Sequence, residues 1–178
     1  MKKKIFPLLI VFIMCFAGVL ALQIFLGRPN AGAEVQDSEH YEKLFYTERY
    51  VTPEGGLIRL KDIKAPVVVM TFWASWCLPC VGEFKELLEF QKKYTEDQVF
   101  FLGVNQDTEE PLKALEKFRR DFPLRISYLL DEQGFISKNF GVEKLPTSFI
   151  FVNGSIVKRV DGPIEFQKEA WDDWLAKN

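Results

Sequence analysis

Two cysteines separated by two residues are the side chains of this sequence best suited to covalent chemistry. Cys77 and Cys80 stand in the run Trp76-Cys77-Leu78-Pro79-Cys80, and the chain of 178 residues has one further cysteine, Cys15. A single pair at this spacing indicates a working dithiol rather than a scaffold held together by several disulfides. The sequence therefore predicts thiol–disulfide exchange with Cys77 and Cys80 as the redox pair.

The position of Cys77, at the start of a predicted helix, favours it as the nucleophile. Pro79 suits the first turn of a helix, where its missing N–H is not needed. Unpaired backbone N–H groups at a helix start point toward the sulfur, and the positive helix end stabilises a thiolate by at most about 2 kcal/mol. That corresponds to about 1.5 pKa units. Lowering a thiol pKa from about 8.5 to about 7 raises the thiolate fraction at pH 7 from about 3% to about half.

Cys80 is predicted to play the complementary role. It lies one turn inside the helix and four residues before Phe84, so both belong to the apolar face. Burial in apolar surroundings raises the pKa of a thiol. We therefore expect Cys77 to be the exposed, attacking sulfur and Cys80 to be the shielded, resolving sulfur.

Other uses of this cysteine spacing fit the sequence less well. A structural zinc site needs about four ligands, and the chain has no second pair of cysteines or histidines. Covalent haem attachment needs a histidine after the second cysteine, where this chain has Val81. An inert structural disulfide stays an alternative, although so small a loop gives little entropic stabilisation. No metal and no cofactor beyond the redox-active disulfide is expected.

The residues around the motif predict an α/β fold. An apolar, β-branched run at 67–72 is typical of a strand buried on both faces of a sheet. Asn153-Gly154 is a strong signal for a two-residue hairpin. The full pattern predicts a turn at 53–56, strands at 67–72, 99–104, 126–130, 147–152 and 156–160, helices at 79–94, 109–121 and 164–175, and a short helix or turn at 136–140. This order predicts a mixed central sheet with helices on both faces.

The N-terminal region predicts a membrane segment. Lys2, Lys3 and Lys4 precede residues 5–27, a run of 23 residues without a charged side chain that is long enough to cross a bilayer. The lysines predict a cytoplasmic end at 1–4 and an extracytoplasmic remainder. The small residues at 31–33 leave a cleaved signal sequence as the alternative. Residues 28–43 are interpreted as a tether and 44–178 as the folded domain, with His40 as a solvated linker residue.

The charge distribution argues against nucleic acid as a partner. Four of the 23 basic residues and none of the 25 acidic residues lie in residues 1–33. The rest of the chain therefore has 19 basic and 25 acidic residues, a net charge of −6. Binding to phosphates needs a basic surface instead.

At this point the sequence resembles the thioredoxin superfamily, and within it the membrane-anchored TlpA/ResA-type thiol–disulfide oxidoreductases. The resemblance is carried by residues 71–80 (TFWASWCLPC), by Leu145-Pro146-Thr147 about 65 residues later, and by the match of residues 76–84 to the pattern WCxPCxxEF. It covers about residues 44–177. It implies a thioredoxin fold. Lys85 departs from the group, which often has proline there.

The resemblance also assigns roles to residues near the cysteines. It implies that Pro146 is a cis proline beside the redox pair, and that the backbone of its neighbour Leu145 binds a client like an added strand. We expect Trp76 and Pro79 to contribute to the same client surface. Many thioredoxins have a buried aspartate at the position of Thr71, whereas the TlpA/ResA-type group uses a glutamate that matches Glu83.

Helix geometry supports the assignment of Glu83, because a residue three positions past Cys80 lies on the same side of the helix. Glu83 is therefore the expected proton acceptor for Cys80, and a solvated helix carboxylate is the alternative.

The expected function is an extracytoplasmic reductant of disulfide-bearing client proteins. The resemblance implies clients such as apocytochrome c and re-reduction by a membrane thiol donor. A disulfide oxidase or isomerase is the alternative within the same chemistry, since its direction depends on the reduction potential. A non-catalytic binding module or metallochaperone is a third possibility, although the soluble part offers just Met70 and His40 as further soft ligands. A monomer is expected.

Overall fold

The computed structural model describes residues 37–176. A central five-stranded sheet is preceded by a helix and a two-stranded hairpin, and it is interleaved with further helices. In chain order the elements are α1 (Ser38–Thr47), β1 (Tyr50–Val51), β2 (Leu57–Ile58), a 3-10 turn (Leu60–Asp62), β3 (Val67–Trp73), α2 (Leu78–Lys93), β4 (Val99–Asn105), α3 (Pro111–Asp121), β5 (Ser127–Leu130), α4 (Phe135–Asn139), β6 (Thr147–Val152), β7 (Ser155–Asp161) and α5 (Trp171–Leu175).

The central sheet is mixed, as the order of elements predicts. Its strand order is β5-β4-β3-β6-β7. Strands β3, β4 and β5 run parallel, whereas β6 pairs antiparallel with β3 and β7 pairs antiparallel with β6. The β6–β7 hairpin turns at Asn153 and Gly154, whose φ angles of 51° and 85° lie in the left-handed region that such turns require.

Strand β3 is at the centre of the sheet and contributes to two separate cores. Its seven residues are all buried, and their side chains alternate between the two faces. One face packs against α2, α3 and α5, and the other packs against α1 and the end of α4. Helices on both faces explain why this strand is a continuous apolar run rather than an alternating one.

The interpretation of the segment before residue 44 as a tether is wrong for residues 38–43. These residues belong to α1, in which Tyr41, Leu44 and Phe45 are buried against the sheet. Their i, i+3, i+4 spacing is the stripe of an amphipathic helix. His40 lies on the exposed side of this helix, with its Nε2 2.8 Å from the carbonyl oxygen of Asn139. The folded region therefore begins before residue 44.

The last predicted helix is also different in the structure. Helix α5 covers Trp171–Leu175, whereas the pattern predicted a helix over 164–175. Ile164 and Phe166 are buried, and the indole N–H of Trp171 donates to the carbonyl oxygen of Phe166 at 2.7 Å. The apolar spacing of this segment thus serves an irregular loop that packs on the core.

Within residues 37–176, no helix combines the length and the apolar character needed to cross a membrane. The predicted membrane segment at 5–27 lies outside the described residues.

Candidate active site

The redox motif lies where β3 gives way to α2. Cys77 is the residue before the first helical position, and the backbone N–H of Cys80 points at the Cys77 sulfur, 3.2 Å away. Pro79 is in the first turn of α2. The predicted placement of the motif is therefore confirmed. The helix start presents a donor and a positive dipole end to the Cys77 sulfur, an arrangement that favours a thiolate when the pair is reduced.

Cys77 and Cys80 are joined by a disulfide, and Cys77 is more buried than the sequence predicts. Cys80 is 1% exposed, as expected for the shielded sulfur, but Cys77 is just 5% exposed. The expectation of an exposed Cys77 is thus wrong for the disulfide form. The asymmetry lies instead in position, because Cys77 lines a surface groove.

This groove has a volume of about 500 Å³ and two walls. One wall consists of Trp76 to Pro79 and the other of residues 142–145, and Gln106 also lines the groove. Trp76 is 69% exposed and Leu78 is 82% exposed, so the rim next to Cys77 is apolar. Exposed large apolar side chains beside a groove are typical of an interaction surface.

Three of the four predicted client-binding residues line this groove, and Pro146 is the one that does not. Trp76, Pro79 and Leu145 line it together with Cys77. The Leu145–Pro146 peptide bond is cis, as the resemblance implied. Pro146 itself is buried, and its carbonyl oxygen accepts a hydrogen bond from the N–H of Gly162 at 2.9 Å.

Glu83 is buried beneath the motif rather than solvated, and its side chain is held at both oxygens. It is 4% exposed. The hydroxyl of Thr71 donates to Oε1 at 3.1 Å, and the backbone N–H of Ile164 donates to Oε2 at 2.9 Å. Burial raises the pKa of Glu83 to about 7, although these two hydrogen bonds act in the opposite direction. A carboxyl that is half ionised near pH 7 has the pKa of an effective general base.

Sequence reasoning missed a second buried carboxylate that fixes the segment ahead of Cys77. Asp107 is 4% exposed, and both of its oxygens accept from the backbone N–H of Ser75, at 3.2 and 3.1 Å. The Ser75 hydroxyl and the Asn105 amide also donate to it, at 3.0 and 2.7 Å. The available signal was a run of polar residues directly after a buried strand, at the edge where parallel strands end.

Metal binding has no obvious site in the part of the chain that the structure describes. Over residues 37–176, no three His, Cys, Asp or Glu side chains are grouped so that they could hold an ion.

Comparison with known proteins agrees with the geometry of this site. The model of the AhpC/TSA family matches residues 44–160, which include the redox motif and the Leu145–Pro146 bond. The chain belongs to the AhpC/TSA family. A thiol-disulfide oxidoreductase ResA from Bacillus thuringiensis subsp. konkukian is 29% identical over 180 residues, which cover 99% of this chain and 98% of that protein.

Two solved structures show the same relationship in three dimensions. A crystal structure assigned as the thiol:disulfide interchange protein DsbE of Chlorobium tepidum is 28% identical, with a TM-score of 0.60, and covers 73% of this chain and 91% of that one. StoA of Bacillus subtilis is 27% identical, with a TM-score of 0.57, and covers 71% of this chain and 94% of that one. The expected thioredoxin fold and the resemblance to ResA-type thiol–disulfide oxidoreductases are confirmed.

Proposed function

We propose that this protein is an extracytoplasmic thiol–disulfide oxidoreductase that reduces disulfides in client proteins. The observation that carries the proposal is the Cys77–Cys80 disulfide at the start of α2. Cys77 lines the groove, and Glu83 lies three residues after Cys80 on the same helix. The pair is the redox group of the reaction, and the reaction needs no added cofactor. The ResA relatives are thiol-disulfide oxidoreductases, which supports this class of activity.

The reaction starts from the reduced protein. The Cys77 thiolate attacks one sulfur of a client disulfide, so that a Cys77–client disulfide forms and the other client sulfur leaves as a thiolate. Cys80 then gives its proton to the Glu83 carboxylate, directly or through one water, and the Cys80 thiolate attacks the Cys77 sulfur. The Cys77–Cys80 disulfide forms while the second client sulfur is released as a thiolate. Both client thiolates take up protons from solvent, and the protein has lost the two electrons that the client has gained.

The groove is the proposed client site. An extended client segment would lie between Trp76 and Pro79 on one side and Leu145 on the other, with its disulfide at Cys77. The cis bond to Pro146 ends the second wall. The backbone at Leu145 would bind the client as an added strand, a mode in which main-chain hydrogen bonds give affinity and side-chain pockets give specificity.

Location and electron supply follow from the same proposal. The lysines at 2–4 and the uncharged run at 5–27 support a membrane-anchored protein with its redox domain outside the cytoplasm. Because that compartment favours disulfides, a reductant there needs a source of electrons, and a membrane protein with its own thiol pair would re-reduce Cys77–Cys80. The protein would act as a monomer, and apocytochrome c is a candidate client.

A trapping experiment tests the proposal. In Cys80→Ser the first attack proceeds but the resolving sulfur is missing, so a mixed disulfide between Cys77 and the client should accumulate. Mass spectrometry of the trapped species from cells identifies the client. Cys77→Ser is the matched control, because it keeps one cysteine at the motif but lacks the attacking sulfur. Equal trapping by both variants, or by neither, would contradict the assignment of Cys77.

The direction of electron flow has a separate test. The thiol pair of a reductant has a potential near that of thioredoxin, about −270 mV, whereas a strong oxidase lies near about −120 mV. Titration of the wild-type protein against glutathione or dithiothreitol buffers gives this value. A potential near the oxidase end would refute the reductant and favour a protein that installs disulfides.

A further inference from the structure

Two buried hydroxyl groups lie behind Glu83 on the central sheet. Thr71 of β3 and Ser148 of β6 stand directly opposite each other in the antiparallel pair. They are 1% and 0% exposed. The next side chains on the same face of the sheet are Val69 and Trp73 of β3 and Ile150 of β6, all buried and apolar, so this pair of hydroxyl side chains interrupts an otherwise apolar layer. Buried polar groups of this kind are costly unless they are hydrogen-bonded.

The two hydroxyls form a chain that ends at the carboxyl group. The Ser148 hydroxyl donates to Thr71 Oγ1 at 2.8 Å, and the Thr71 hydroxyl donates to Glu83 Oε1 at 3.1 Å. On the other side, the N–H of Ile164 donates to Oε2 at 2.9 Å. A backbone N–H can only donate, whereas a hydroxyl can donate or accept. Oε1 therefore faces a partner that suits both the ionised and the protonated carboxyl group.

We propose that Thr71 and Ser148 are positioning residues that hold Glu83 through a hydroxyl relay, whose direction reverses when Glu83 takes up the proton of Cys80. This inference rests on the proposed function, because it assigns the proton of Cys80 to Glu83. With Glu83 ionised, the relay runs from Ser148 through Thr71 to Oε1. When the Cys80 proton reaches Oε1, the new O–H donates to Thr71 Oγ1, the Thr71 hydroxyl turns to donate to Ser148 Oγ, and the Ser148 O–H rotates away from Thr71. No bond between heavy atoms changes, and Glu83 later returns its proton to water.

The surroundings of Glu83 make these hydroxyl contacts important. The strands and the segment after β7 present uncharged groups to it, namely the Thr71 hydroxyl, with Ser148 behind it, and the amide of Ile164. On its own helix the titratable neighbours are Cys80 and Glu86, and the negative charge of Glu86 acts with burial to raise the pKa of Glu83. Thr71 and Ile164 thus supply the donors that allow a carboxylate to exist at this depth, and only the hydroxyl can also serve the protonated state.

A matched pair of substitutions separates the hydroxyl from the shape of Thr71. Thr71→Val keeps the branched shape and removes the hydroxyl, whereas Thr71→Ser keeps the hydroxyl and removes a methyl group. Loss of a hydrogen bond to a charged form raises an acid's pKa, here by about one pH unit. With a wild-type pKa of about 7, the ionised fraction at pH 7 falls from about half to about one tenth. Thr71→Val should therefore slow the reduction of a disulfide-bonded model peptide about fivefold at pH 7 and move the midpoint of the pH–rate profile upward.

The experiment uses the full-length reduced protein and a second readout that does not depend on activity. Carbon-13 NMR of carboxyl-labelled glutamate follows the titration of Glu83, and Glu83→Gln identifies its signal. Thr71→Ser should keep the wild-type midpoint. Ser148→Ala should shift it upward by less than Thr71→Val does, because it weakens the Thr71 donor without removing it. Ser155→Ala, at an exposed hydroxyl, should change nothing.

The possible results distinguish the relay from the proposed function. A shift in Thr71→Ser as large as in Thr71→Val would overturn the relay, since packing would then be the cause. An unchanged Glu83 titration in Thr71→Val would overturn it as well. If wild-type protein reduced no disulfide at any pH, the proposed function would fail, but the carboxyl titration would still decide whether the hydroxyls hold Glu83. If Thr71→Val did not fold, Ser148→Ala would have to show the upward shift, and its absence would overturn the relay.

Discussion

Replacing Glu83 with glutamine is expected to stabilise the folded protein above pH 7 and to leave its stability almost unchanged near pH 4. Burial, with a smaller contribution from Glu86, raises the pKa of Glu83 from 4.5 to about 7. At about 1.4 kcal/mol per pH unit, this difference corresponds to a free energy of about 3 kcal/mol. The value is the cost of keeping a carboxylate, rather than a neutral carboxyl group, in the buried site.

The sign of the effect follows from proton binding. Between pH 4.5 and about 7, the folded protein holds the Glu83 proton, whereas the unfolded chain has released it. The folded state therefore binds more protons, and the free energy of unfolding falls as the pH rises through this window. Below pH 4.5 both states hold the proton and the cost is absent. Above pH 7 both are ionised and the full cost is present. Glutamine keeps a similar shape and does not ionise, so this dependence disappears.

The assay is urea unfolding of the full-length oxidised protein from pH 4 to pH 8.5, with the same detergent at every pH. Tryptophan fluorescence reports the fraction unfolded. The difference between Glu83→Gln and wild type should grow from near zero to about 3 kcal/mol across the range. Glu86→Gln is the control, because this carboxylate is exposed on the next turn of α2 and its loss should change stability by less than about 0.5 kcal/mol. A Glu83→Gln variant no more stable than wild type at pH 8.5 would refute the account of Glu83 as a buried carboxylate with a raised pKa.

Two further predictions concern the packing of α1 and the groove. Phe45→Ala should destabilise the protein by about 3–5 kcal/mol in thermal or chemical unfolding, because Phe45 is 5% exposed and its ring centroid lies 4.9 Å from that of Phe151. Tyr46→Ala should cost much less, since Tyr46 is 50% exposed, and equal losses would contradict the docking of α1 on the sheet. Trp76→Ala should raise the KM for a disulfide-bonded peptide with little change in unfolding free energy, because Trp76 is 69% exposed on the groove. A changed stability with an unchanged KM would remove Trp76 from the client surface.

The central strands and the redox motif could be predicted from the sequence because their signals are local. The apolar run of β3 has its bounds within one residue of the prediction, and β6 matches the predicted 147–152. Helix α1 could not be predicted because its few buried residues are spread among charged and polar ones. The final helix was predicted too long because aromatic side chains at helical spacing also suit a loop that packs on the core, as Phe166 does.

The individual residues of the site could be predicted from the sequence, but their hydrogen-bond partners could not. Cys77, Cys80 and Glu83 lie close in sequence, and helix geometry relates them directly. The contacts of Glu83 with Thr71 and Ile164, and of Thr71 with Ser148, span 12 to 81 residues and depend on the register of β3 and β6. From the sequence, Thr71 is a position without the acid that many thioredoxins have there, whereas in the structure its hydroxyl holds the acid that α2 supplies. Such a relation appears only when the strands are aligned.

The two edges of the central sheet have a consequence for association between chains. An unpaired strand edge can template pairing with another chain, and proteins limit this with short or charged edge strands. Strand β5 has four residues, and β7 carries Lys158 and Arg159, which pair with Glu169 and Asp161. Arg159 also donates to the Tyr41 hydroxyl, so α1 is tied to this strand. The sheet therefore offers neighbouring copies little opportunity for edge-to-edge aggregation, even where the proposed anchor would concentrate them on a membrane.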